Sequence, residues 1–249
     1  MPELPDLEVF SASLTKQLKG KKVKAVKGRG TTVKKEITGQ VLEKVEREGK
    51  ELRFRFRNGA VLGMHLMLHG ELHVFRQKNT NAHTMLEISF EDGTGLALTD
   101  FRKMASYSMN PGTPNVPDAL TQLKLPDLEK LLSGSRATVK KQLTDQHKVR
   151  GIGNAYADEI LWEARISPFS VSRNIPPQKV KTLHKAIRSV LKDAVKQIRK
   201  HHKDATFGEY REFLKIHRAG KGESPAGAAI KHASTGGRKT YYTDEQEKY

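Results

Sequence analysis

The chain opens Met1-Pro2-Glu3-Leu4-Pro5-Asp6, and its second residue carries the most specific chemistry in the sequence. Loss of Met1 would free the secondary amine of Pro2, a nucleophile able to attack a sugar aldehyde carbon and form an iminium directly. Covalent imine chemistry divides a hard C–N cleavage into easier steps, and a neighbouring carboxylate can shuttle the proton that ring opening requires. Glu3 is that neighbour. The plain alternative is that Pro2 only permits removal of Met1 and that Glu3 is a charge at a helix start. Neither reading needs a cofactor or a metal. The chain has no Cys, which removes disulfides, thiolate nucleophiles, iron-sulfur clusters and any Cys-ligated zinc site.

A second group of residues suits phosphate. Gly151-Ile152-Gly153-Asn154-Ala155-Tyr156-Ala157-Asp158-Glu159 falls between two expected helices. Glycines there let the backbone approach a phosphate closely, while the next helix points its first N–H groups outward. The charge agrees: 45 Lys and Arg against 28 Asp and Glu leave a formal net charge of +17, which draws in a polyanion. Charge and glycine turn together suffice for a non-catalytic nucleic-acid-binding protein, the competing class of function. Neither a long apolar run nor a basic-then-apolar leader opens the chain, so no membrane partner is expected, and the absence of Cys fits a reduced compartment.

These residues need elements to hold them. Leu7, Phe10, Leu14 and Leu18 share one face of a helix predicted over Leu4 to Leu18. From Val23 to Met109 the pattern alternates with period two, as in Leu52-Arg53-Phe54-Arg55-Phe56, and Asn58-Gly59 and Asp92-Gly93 supply hairpin turns. An antiparallel sandwich preceded by a helix follows, over residues 1–112. The proline-rich run Asn110 to Pro117 reads as a linker. A helical domain over 118–222 comes next, with helices at Leu125 to Leu132, Ala137 to Asp145, Ala155 to Ala164 and Pro177 to His201. In the last of these, Val180, Leu183, Ile187, Val190, Leu191, Val195 and Ile198 form the expected buried stripe. Residues 223–249 are rich in Gly, Ala, Ser and Lys. Their composition is as consistent with disorder as with a hairpin whose arms are Ala229 to His232 and Arg238 to Tyr242 around Ser234-Thr235-Gly236-Gly237. The fold class is thus α+β.

The opening Met1-Pro2-Glu3-Leu4-Pro5-Asp6-Leu7-Glu8 resembles that of the formamidopyrimidine-DNA glycosylase and endonuclease VIII family. The resemblance gives Pro2 the role of nucleophile and Glu3 that of its assistant. Lys50, in Glu48-Gly49-Lys50, resembles the family's strand-leading lysine, which reaches the damaged nucleotide's phosphate and sugar. Met64-His65-Leu66-Met67-Leu68-His69-Gly70 resembles the family's His-Leu-Gly-Met-Ser-Gly strand, with His65 on a phosphate and Leu68 where a Met wedge is usual. Asp100-Phe101-Arg102-Lys103-Met104 resembles Asp-Pro-Arg-Arg-Phe, so Arg102 and Met104 would help fill the duplex once a base has left it; Phe101 and Met104 depart from the pattern.

The glycine turn resembles the family's helix-two-turn-helix, with Asn154 and Tyr156 at phosphates and Lys140 at an earlier basic position. Gly236-Gly237-Arg238-Lys239-Thr240-Tyr241-Tyr242-Thr243 resembles the second half of the family's zinc finger, where Arg238 would grip phosphates from the hairpin tip. Thr243 and Gln246 stand where cysteines would be, so a zincless finger held by pairing and packing is expected.

The resemblance implies a bifunctional DNA glycosylase and AP lyase of base excision repair. Such an enzyme is monomeric, acts on damaged duplex DNA, and works in the cytoplasm at the nucleoid or in a nucleus. Little room remains between Phe213 and Arg218-Ala219-Gly220-Lys221-Gly222-Glu223 for the long loop with which the 8-oxoguanine branch covers its flipped base. That favours oxidised pyrimidines, ring-opened purines or hydantoins.

Overall fold

The computed structural model describes residues 1–29, 31–235 and 237–249. Contacts divide the chain into two units, Met1–Thr113 with Ile198–Glu209, and Pro114–Gln197 with Tyr210–Tyr249. The three expected segments are therefore drawn differently: the stretch from Ile198 joins the first unit, and the tail from 223 belongs to the second.

The first unit begins with α1 (Leu4–Leu18), which buries Leu4, Leu7, Phe10, Leu14 and Leu18 at three- and four-residue steps. Strands β1 (Val23–Gly28), β2 (Leu42–Glu48), β3 (Glu51–Phe56), β4 (Val61–His65), β5 (Glu71–Arg76), β6 (Thr84–Phe90), β7 (Thr94–Thr99) and β8 (Ser106–Met109) make two four-stranded sheets. Their orders are β1-β6-β7-β5 and β2-β3-β4-β8, and every pairing is antiparallel. The turns at Asn58-Gly59 and Asp92-Gly93 close β3 onto β4 and β6 onto β7, with both glycines at positive φ (86° and 81°).

One element was not legible. The stretch read as mostly period-two strands contains a short helix, α2 (Thr31–Ile37), burying Val33 and Ile37. A seven-residue helix with a single four-residue apolar step is too short to reveal its period.

The second unit contains α3 (Leu125–Ser133), α4 (Val139–Thr144), α5 (Asn154–Glu163) and α6 (Pro177–His202), the last reaching into residues counted with the first unit. Along α6 the buried face is Val180, Leu183, Ala186, Ile187, Leu191, Ala194 and Ile198. Val190 and Val195, expected in that stripe, are only half-buried, and Ala186 and Ala194 take the inward angle instead. Periodicity locates the face, but the width of the gap decides which size of side chain occupies it.

The tail is ordered as a hairpin, β9 (Lys231–Thr235) with β10 (Arg238–Tyr242), in register from Arg238 opposite Thr235 to Tyr242 opposite Lys231. Gly236, within the expected tip, lies outside the described residues. Tyr241 holds the hairpin down by packing with Trp162 and Ile216.

Candidate active site and nucleic-acid interface

Glu3 is the N-cap of α1, and it exchanges capping bonds with Asp6: its side chain accepts the Asp6 N–H, and its own N–H donates to the Asp6 carboxylate at 2.8 Å. The plain role of Glu3 at a helix start is therefore real, and it also fixes the carboxylate beside Pro2. Pro2 itself is buried and lines a cavity of about 430 Å³ together with Leu68, His69, Asp100, Phe101 and Glu209, a volume within the range of small-molecule sites. The N-terminal ammonium, still on Met1, pairs with Glu209.

Lys50 follows Gly49 in the turn from β2 to β3, and His65 ends β4. Burial lowers the pKa of His65, the charge of Lys50 lowers it further, and Glu51 opposes both without reversing the direction. Its Nδ1 accepts the Met67 N–H at 3.1 Å, so the neutral ring carries its proton on Nε2. That leaves a hydrogen-bond donor suited to a phosphate oxygen.

From Leu66 the chain turns sharply and displays Leu68 at 51% exposure, with the Gly70 N–H donating to the Leu66 carbonyl at 2.8 Å. A Cβ on Gly70 would lie 2.3 Å from that carbonyl oxygen, so only glycine closes this turn. A second loop is built on Asp100, which is buried and accepts the N–H groups of Arg102, Met104 and Ala105 at 2.7–2.8 Å. Burial alone would push the Asp100 carboxyl up; those three donors and His69 outweigh it and hold it below the usual range. The loop so pinned exposes Phe101 at 57%, Arg102, and Met104 at 40%. Among the described residues the exposed large apolar side chains are Leu68, Phe101, Met104 and Phe207, and the first three sit on the two loops. His69 packs on Phe101 with ring centres 4.8 Å apart, and the Arg102 guanidinium lies 5.5 Å from the same ring.

In the second unit, Gly153 caps α5 and Asn154 is its first residue. Gln146 braces the glycine turn by accepting the Gly151 N–H at 2.9 Å and donating to the Ile152 carbonyl at 2.7 Å. Two residues that the resemblance puts at phosphates are not surface groups. Tyr156 is fully buried, with the Arg211 guanidinium 5.2 Å from its ring. What it can offer a phosphate is its backbone N–H in the first turn of α5, outside the helix's own ladder. Lys140 is only 5% exposed; its Nζ lies 2.7 Å from the buried Asp158 carboxylate and donates to Thr240 at 2.8 Å. Asp158 also engages His217 Nδ1 at 2.7 Å and the Tyr241 N–H at 2.9 Å. Lys140 thus joins α4, α5 and the hairpin from inside, a buried setting rather than the exposed one that a DNA contact suggests. A lysine this deep needs an oppositely charged partner, and Asp158 was already there in the sequence motif. Asn154 donates its amide to the Lys239 carbonyl at 2.9 Å, which ties the turn to β10. Arg238 opens β10 and is exposed.

Sequence reasoning overlooked the polar network at the base of the hairpin. Glu245 accepts from Trp162 Nε1 at 3.0 Å and Thr243 Oγ1 at 3.0 Å, pairs with Arg165 at 2.5 Å, and also bonds Ser224. Burial acts to raise its pKa, but these donors and Arg165 prevail and bring it down to about 2. Gln246, at an expected cysteine position, accepts the Thr243 N–H and donates to the Ile166 carbonyl, both at 2.9 Å. Among the described residues no group of three or more His, Asp or Glu could hold a metal ion, and no helix is long and apolar enough to cross a membrane. Other positions lining the cavity also went unforeseen. Phe101 was legible only as a departure from a motif, and no local signal marked Glu209.

Comparison with known proteins decides the family. Residues 1–107 match the formamidopyrimidine-DNA glycosylase N-terminal domain and residues 116–205 the formamidopyrimidine-DNA glycosylase H2TH domain. The chain belongs to the formamidopyrimidine-DNA glycosylase family. The formamidopyrimidine-DNA glycosylase of Lactobacillus gasseri is 30% identical, with 97% of each chain covered, and that of Listeria monocytogenes 29%, with 100% of each covered. Among solved structures, the Lactococcus lactis Fpg in complex with DNA containing an abasic site matches at a TM-score of 0.87 and 26% identity, over 99% of this chain and 100% of that one. A MutM in complex with DNA containing carbocyclic 8-oxo-G matches at 0.88 and 26%, with the same coverage. The helix-two-turn-helix of this glycosylase family is thus the turn built between α4 and α5.

Proposed function

We propose that this DNA glycosylase of base excision repair attacks C1′ of a damaged nucleotide with the amine that loss of Met1 frees on Pro2, and then nicks the strand as an AP lyase. The observation that carries this reading is the cavity of about 430 Å³ in which Pro2 lies, lined also by Leu68 and Phe101, two apolar side chains of the exposed loops. A flipped nucleotide needs such a space, and unstacking it costs a few kcal/mol that inserted side chains can offset. Glu3 shuttles the ring-opening proton. Lys50 and the Nε2–H of His65 hold the phosphate and sugar, and Arg238, the first turn of α5 and Asn154 serve the phosphates of the duplex.

The partner is damaged duplex DNA, as in the solved complexes of the family. A net charge of +17 supplies the sequence-independent part of that affinity. The enzyme acts as a monomer, without cofactor. The short passage between Phe213 and the Arg218 to Glu223 hinge supports oxidised pyrimidines, ring-opened purines or hydantoins as substrates. That the relatives named above are bacterial supports a nucleoid location over a nuclear one.

Borohydride trapping tests the mechanism. The processed protein becomes covalently linked to DNA with an oxidised base or an abasic site, and Pro2→Gly abolishes base release while duplex binding stays within a few-fold, because affinity comes from phosphate contacts. A protein that binds damaged DNA but never traps would be the non-catalytic binder instead.

A further inference from the structure

The carboxylate of Glu209 stands 208 positions from the N-terminus in sequence, yet it pairs with the N-terminal ammonium, and Glu209, Gly208 and Pro2 line one cavity. When Met1 leaves, the ammonium that Glu209 engages leaves with it. The new terminal amine is that of Pro2, three covalent bonds further along and so roughly 3 Å away. A half-exposed glutamate covers that distance by changing rotamer. We infer that Glu209 is a second carboxylate of the active site, the acceptor of the proton that the Pro2 amine loses as it bonds to C1′. This rests on Pro2 being the nucleophile.

The two carboxylates divide the protons. The neutral secondary amine of Pro2 bonds to C1′, the bond from C1′ to the base breaks, and its electron pair departs with the base. The adduct nitrogen then carries a positive charge and one hydrogen, and Glu209 takes that proton. The nitrogen pair so released forms the C1′–N double bond as C1′–O4′ opens, and O4′ receives a proton that Glu3 shuttles from water. Glu3 is fixed for its part as the cap of α1; Glu209 faces the amine from the opposite end of the first unit's sequence. The other titratable groups lining the cavity are His69, Glu71, His73, His83 and Asp100. Of these, Asp100 is committed to three backbone N–H groups, and His73 and Glu71 to each other at 3.0 Å.

The test is single-turnover kinetics of the full-length, processed protein from pH 6 to 10, on an oxidised-base duplex and on a preformed abasic site, with borohydride trapping of the imine. Glu209→Gln should slow both excision and trapping on the order of a hundredfold at neutral pH, with the deficit closing as pH rises and solvent base takes over. Glu209→Asp should recover part of the rate, and melting should be unaffected by either change. Glu3→Gln should differ by sparing part of the trapping on the preformed abasic site. Wild-type rates in Glu209→Gln, or a deficit equal at every pH, would overturn the assignment of Glu209 and leave Pro2 standing. A wild type that never traps would overturn both.

Discussion

The two units use their charged residues in opposite ways. In the first, a buried acid supports an exposed loop: Asp100 spends its carboxylate on backbone N–H groups so that Phe101, Arg102 and Met104 stand in solvent. In the second, the residues that motif matching would set on DNA, Lys140 and Tyr156, are buried, and the exposed Arg238 stands on the hairpin that Lys140 reaches through Thr240. A basic residue in a DNA-binding motif is therefore not by that fact a DNA contact. Burial separates the two cases, because a lysine 5% exposed, with its Nζ 2.7 Å from a buried carboxylate, is held away from an outside phosphate.

Removing the first unit's proposed nucleophile has the largest expected effect. Pro2→Gly should leave base release undetectable with stability and duplex affinity nearly unchanged, as single-turnover excision and equilibrium binding would report. Wild-type turnover would move the chemistry away from this cavity altogether.

Lys140→Met breaks the comparison at its sharpest point. Stripping one partner from a buried ion pair costs about 3 kcal/mol or more, so the urea midpoint should fall clearly, and Lys140→Met with Asp158→Asn should regain part of the loss. If instead stability is untouched and only the salt slope of binding drops, Lys140 is a phosphate contact and the buried network is wrong.

A smaller effect is expected at the base of the hairpin. The folded pKa of Glu245 is lowered to about 2, so its contribution is fully present above the ordinary carboxylate range near 4.5 and is lost as pH falls from there toward 2. Glu245→Gln should be less stable than wild type at pH 7, and the gap between the two in urea unfolding should close across that window. A zinc chelator should change neither protein, and a stoichiometric zinc found by metal analysis would contradict the polar base described here.

The smallest effect belongs to the exposed cation. Arg238→Ala should weaken binding to every duplex by a similar factor and lower the salt slope by about one, with melting unchanged. A truncated Met1 to Glu223 protein with full excision activity would remove any role for the hairpin.

Much of this architecture was legible. Leu7, Phe10, Leu14 and Leu18 place α1 because a helix repeats every 3.6 residues, and the turns at Gly59 and Gly93 declare their hairpins because positive φ favours glycine. Pro2 and Glu3 could be nominated because their chemistry depends on residue type and adjacency alone. The short α2 was missed for want of a full period, and the tail remained open because its composition is loop-like, while Tyr241 finds its packing partners at Trp162 and Ile216.

Local spacing thus determined the longer helices and the hairpin turns, and residue type nominated Pro2 and Glu3. Only the tertiary structure decided which of 45 basic residues are interior, which carboxylate meets the N-terminus, and what holds the base of the hairpin. Those are pairings over distances such as the 100 positions between Lys140 and Thr240 or the 208 between Met1 and Glu209. The physical reason is that periodicity and turn preference act over a few residues, whereas burial and Coulomb pairing depend on distances in space that chain spacing does not record.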